Sequence, residues 1–117
     1  MRDSGDVTDH QPSLTSDDAS LLLRLIGGDA AAVGEILALA PGSADPALLV
    51  AAAMLSRDVS HLVGAQEAAR TPRDRQLVVL AETHLRGNTE LFDVLVRDHL
   101  ADHPDHLMAA WIAGRHH

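Results

Sequence analysis

The chain has 117 residues, 46% of them hydrophobic, which is enough for one core of ordinary size and too little for two. Its formal charge is −8, with nine basic residues, all arginine, against seventeen acidic ones spread along the chain; nucleic acid and anionic membrane surfaces, which require a basic face, are excluded as partners. With no cysteine there is no disulfide, thiolate nucleophile or thiolate metal site, and one Trp, one Phe and no Tyr leave a core of Ala, Leu, Val and Ile.

The opening MRDSGDVTDHQPS is polar and acidic, with Gly5 and Pro12 as breakers and no apolar signal segment. Residues 1–13 therefore read as a disordered tail, residues 14–117 as one domain, and a cytoplasmic location is expected. No run approaches the roughly 18 apolar residues of a membrane span. From Leu14 the pattern is helical. Ser16 reads as an N-cap, Asp17 and Asp18 complement the helix dipole, and Leu21, Leu22, Leu25 and Ile26 form a stripe that Gly27-Gly28 ends. Asp29 caps a second helix with Val33, Ile36, Leu37 and Ala40 on one side, stopped at Pro41-Gly42.

Asp45-Pro46 opens a third helix, in which Ala51, Ala52 and Ala53 leave every side small enough to sit between neighbours. A fourth is read over about 58–70, where Gly64 costs about 1 kcal/mol against Ala, a cost that close packing on the third helix would explain. Thr71-Pro72 opens a fifth, with Asp74 in the capping-box place and Leu77, Val78, Leu80, Ala81 and Leu85 as a wide apolar face. After the Arg86-Gly87 turn, Asn88 caps a sixth with Leu91, Phe92, Leu95, Val96, His99 and Leu100 at helical spacing. His103-Pro104 ends it, and Leu107, Met108, Trp111 and Ile112 begin a seventh helix that has no eighth to pair with. The expected class is all-α: about seven helices in antiparallel hairpins.

Those features, and above all Arg86-Gly87-Asn88 followed by Pro104 at half of a 34-residue period, resemble the tetratricopeptide repeat (TPR) family. The match is one of spacing: Gln76 and Val79-Leu80 stand where the family favours an aromatic and a Leu-Gly pair, and Phe92 and His99 where it favours small residues. The turn at Gly28-Asp29, the Asp45-Pro46 start and the charged start at Thr71 to Arg75 are closest to the divergent group related to tetratricopeptide repeat protein 38, over roughly Leu21 to Ile112. The resemblance implies a right-handed stack of hairpins whose first helices line a concave face, and no catalytic residues. On that face it puts Asp74, Leu77, Ala81 and His84, a mixed, slightly acidic lining. It lacks the Lys, Arg and Asn with which the family clamps a peptide's C-terminal carboxylate.

His99, His103 and His106 have the residue type of a metal cluster, but Pro104 breaks the helix between the second and third, so no metal site is assigned. His99 is read instead as a partly buried core histidine, and His103 and His106 as solvated turn residues. His116-His117 read as surface residues or an added tail. Gly27-Gly28-Asp29 lacks the Lys and strand of a phosphate loop, and Glu35, Glu67, Glu82 and Glu90 occupy surface positions, so neither catalysis nor a cofactor is expected.

Leu107, Met108, Trp111 and Ile112 form a strip that needs a cover: the third hairpin, a second copy in a homodimer, or another protein. The sequence thus leads to a non-enzymatic protein–protein interaction module, an adaptor or accessory subunit for a protein or peptide partner. The alternative is a small metal- or ligand-binding helical bundle using His99 and His103.

Overall fold

The computed structural model describes residues 11–115, with side-chain surroundings from residue 18 onward. Within them there are seven α-helices and no strand: α1 (Gln11–Ile26), α2 (Ala30–Leu39), α3 (Pro46–Ser56), α4 (Ser60–Ala68), α5 (Pro72–Leu85), α6 (Thr89–Asp102) and α7 (Leu107–Arg115), with one 3-10 turn at Ala40–Gly42. Residues 1–10 of the expected tail and His116-His117 lie outside the described residues.

The helix starts are set by local chemistry. The carboxylates of Asp29 and Asp45 accept from the amides of Ala31 and Ala47 at 2.9 and 3.0 Å. Thr71 Oγ1 accepts from the Asp74 amide at 3.0 Å, and Asn88 Oδ1 from the Leu91 amide at 3.3 Å. Each bond satisfies a donor that has no partner inside its own helix. Gly28 (φ 93°) and Gly87 (φ 77°) make the corners after α1 and α5, where a side chain would be strained.

Two boundaries differ from the sequence reading. Helix α1 covers Gln11–Ile26, so residues 11–13 belong to it and Ser16 lies inside it instead of capping it. Helix α4 is shorter than expected, although Asp58 still accepts from the Ser60 amide at 2.9 Å.

Helix α3 packs on α1 and α2, α5 on α3 and α4, and α7 on α5 and α6. In addition α1 meets α7, so the first and the last of these helices touch. Seven consecutive residues of α3, Leu48 to Met54, are buried, as a helix apolar on every side requires. Around it the core is made of Leu21, Leu22, Leu25, Ile36, Leu62, Leu77, Leu80, Phe92 and Ile112, among others. On the surface Arg24 joins Asp29 at 2.8 Å and Glu35 at 2.7 Å, tying α1 to α2; its hydrogen bond holds the Asp29 carboxyl below the usual carboxylate range. No single helix among the described residues is long and apolar enough to cross a membrane.

Gly64 is not required by close packing. A Cβ built there meets Leu49 Cδ1 at 3.6 Å, an ordinary contact. Gly64→Ala is therefore expected to raise stability by about 0.5–1 kcal/mol through helix propensity and a less free unfolded chain. Urea denaturation measures it, and a loss of stability would mean that α3 and α4 lie closer together than this.

Candidate functional site

The packing around α5 decides what becomes of the residues expected on a concave face. Helix α5 is held by α3, α4, α6 and α7, and its inward residues are sealed. Leu77 and Ala81 are core residues and not the lining of a groove. Asp74 is half-buried, and its carboxylate is committed to the turn, Oδ2 accepting from the Arg70 amide at 3.1 Å. His84 is half-buried with its ring edge-on to Phe92, centroids 5.3 Å apart. Of the four, only Asp74 and His84 reach solvent, and they stand near opposite ends of α5.

The strip on α7 is likewise used within the chain. Met108, Ala109 and Ile112 are buried, and α7 packs on α5, α6 and α1. Trp111 is half-buried with the Arg115 guanidinium 4.9 Å from its ring centre, and Leu107 alone of the four is largely exposed, at 51%. Two anchors of a homodimer through this helix are thus already buried. The cover of this helix comes from α5, α6 and α1.

The histidines form a buried chain. His99 Nδ1 lies 2.6 Å from Gln76 Oε1, and His99 Nε2 lies 2.7 Å from His106 Nδ1. The Gln76 oxygen can only accept, so His99 carries its proton on Nδ1, leaving Nε2 to accept from His106 Nδ1–H. Both rings are thereby fixed as neutral Nδ1–H tautomers. His106 is buried, a correction to its reading as a solvated turn residue. The tight turn that bonds its amide to the His103 carbonyl at 3.0 Å, while its own carbonyl accepts from Ala110 at 3.2 Å, folds the ring back onto His99. Sequence spacing could not show this, because Pro104 breaks the helical register between the two. His103 lies half-buried against His99, centroids 4.9 Å apart. Among the described residues no three His, Asp or Glu side chains are arranged to hold a metal ion.

Burial lowers the basicity of both rings, and neighbouring positive charge adds to it. His99 is pushed below the usual histidine range by desolvation and then by His103 and Arg73, with Asp102 opposing. His106 is pushed down to about 4 by desolvation, Arg73, His99 and His103, with Asp105 opposing.

This histidine chain backs a cleft of about 200 Å³ between α5 and α6, lined by Gln76, Val79, Leu95, Asp98, His99 and Asp102, with Leu80 at its base. Val79 is 42% exposed, and Leu91, one turn before Leu95, is 45% exposed. Asp98 and Asp102 stand exposed on the last two turns of α6, where the negative end of the helix dipole adds to their charge. The floor is apolar because His99 has both ring nitrogens hydrogen-bonded and offers a ligand none. The arrangement can accept an apolar side chain and hold a cation beside it. The sequence reading passed over it because the cleft lies on the side of α5 away from the expected groove; the exposed Val79 within a charged stretch was the one available signal.

No protein-family model matches the chain, and neither curated proteins nor solved structures gave a significant match.

Proposed function

We propose that this chain is a non-enzymatic protein–protein interaction module of TPR-like hairpins, a cytoplasmic adaptor or accessory subunit, whose docking site is the cleft between α5 and α6. The TPR-like reading is supported by the order of packing. Each odd-numbered helix after the first lies on both helices of the hairpin before it, which is how such repeats bury faces that no hairpin can bury alone. With Leu77 and Ala81 buried, the reading places partner binding on the cleft side of α5.

The carrying observation is the pairing of an apolar floor with an anionic rim. Val79, Leu95 and Leu80 offer an apolar seat, and Asp98 and Asp102 stand beside it in a chain of net charge −8. The complementary ligand is an extended or helical peptide bearing an aliphatic side chain with Arg or Lys about one turn away. Acidic tails are repelled by the same rim.

A displayed library of random peptides provides the probe. Enriched sequences are expected to pair a Leu, Ile or Met with a basic residue, and their binding should fall about tenfold or more on Val79→Lys or Asp98→Lys, both at exposed positions. Enrichment of acidic peptides, or binding indifferent to both substitutions, refutes the assignment.

A further inference from the structure

At the other end of the α5–α6 hairpin is a second cavity, of about 250 Å³ and opposite chemistry. Arg57, His84, Asn88, Thr89 and Arg115 line it together with Gly87 and Phe92, and no carboxylate does. In a chain with seventeen acidic residues and nine arginines, a polar cavity that gathers two arginines and no acid runs against composition. Arg24 and Arg86 are neutralised by Asp29, Glu35 and Glu82. Among the described residues Arg57 and Arg115 form no ion pair.

The two guanidinium groups arrive from distant parts of the chain. Arg57 is the residue that ends α3, and Arg115 is the last residue of α7. The face of Arg115 lies over Trp111, 4.9 Å from the ring centre, which steadies the group while leaving its edge donors available. Two cations directed at one cavity repel each other unless an anion lies between them. The start of α6 opens on the same cavity through Asn88 and Thr89, so the positive end of its dipole adds to the arginine field.

We propose that this cavity binds a single phosphomonoester group, with Arg57 and Arg115 as its ligands. Forked guanidinium donors from two directions match the several oxygens of a phosphate better than the two of a carboxylate. The basic surface is one cavity and not a stripe, so it serves an isolated phosphate group and not a nucleic-acid backbone.

Arg57 provides a test that spares the fold. It is the only described non-glycine residue with positive φ, at 59°, a conformation glycine adopts freely. Arg57→Gly therefore deletes the ligand while leaving stability equal or higher. The measurement is a titration of backbone and arginine Nε resonances with inorganic phosphate, against sodium chloride of equal ionic strength, with a second arm using O-phosphoserine.

Saturable shifts confined to Gly87 to Leu91 and the side chains of Arg57 and Arg115 are expected. Affinity should fall about tenfold or more in Arg57→Gly and in Arg115→Gln. A response to both probes assigns the site to phosphate groups in general, and a response to phosphoserine alone assigns it to a phosphorylated side chain. Shifts reproduced by chloride, shifts scattered over Arg70, Arg73 and Arg75, or unchanged affinity in a folded Arg57→Gly protein overturn the proposal. None of these outcomes bears on the peptide cleft, which shares no lining residue with this cavity.

Discussion

Lowering the pH from about 6.5 to about 4 is expected to strip the protein of stability on the order of 3 kcal/mol through His106 alone, each unit of pKa difference being worth about 1.4 kcal/mol. The sign follows from the direction of the shift. In the unfolded chain His106 takes up a proton near pH 6.5; folded, it does so only near 4. Between those values the unfolded state binds more protons, so acid favours unfolding, and the contribution is fully present only above about pH 7. His99 is shifted in the same direction and widens the effect.

The structural cause is burial: protonating either ring places a charge where water is excluded, and on His99 it would also set a new N–H on Nε2 against the Nδ1–H of His106 across 2.7 Å. Arg73 and His103 supply further positive potential, which Asp102 and Asp105 offset only in part. Urea midpoints across this pH range check the prediction, together with imidazole nitrogen resonances showing Nδ1–H on both rings at neutral pH. His106→Leu, compared with its own stability at neutral pH, should remove most of the acid sensitivity. A flat stability profile from pH 7 to 4 would refute the buried chain.

Ile112→Ala should cost about 2–5 kcal/mol, whereas Leu107→Ala, five positions earlier on the same helix, should change stability by no more than about 0.5 kcal/mol. Ile112 is fully buried and Leu107 is 51% exposed, so truncating the first leaves a cavity among α1, α5 and α6 while truncating the second only bares a surface. The contrast separates the two uses of α7. If the helix were chiefly a dimer strip, both substitutions would weaken self-association and neither would strongly lower the stability of the monomer. Chemical denaturation with sedimentation on the same samples distinguishes these outcomes. Equal effects of the two substitutions would show that α7 does not dock as described.

Much of the local architecture was legible before any coordinates. Asp29, Asp45, Thr71 and Asn88 are each a short polar residue ahead of an apolar run, and each caps a helix. Gly28 and Gly87 stand where the backbone turns through positive φ. The helical stretch ahead of Ser16 is not legible in the sequence because Pro12 reads as a break, and nothing local shows that the helix already covers residues 11–13. Leu77 and Ala81 show a different limit. Their spacing marks an apolar face, but the same face can line a groove or a core.

The residues by themselves determined an all-helical chain, the positions of its corners, the absence of thiol chemistry and the acidic balance, because caps, glycine turns and periodicity act over a few neighbouring positions. Only the tertiary structure decided which faces stay open. Packing of α5 among α3, α4, α6 and α7 buried Leu77 and Ala81, the turn after α6 carried His106 onto His99, and Arg57 and Arg115 came to one cavity from distant elements. Those outcomes depend on contacts between residues far apart along the chain, and no pattern within one helix encodes what a distant helix will cover.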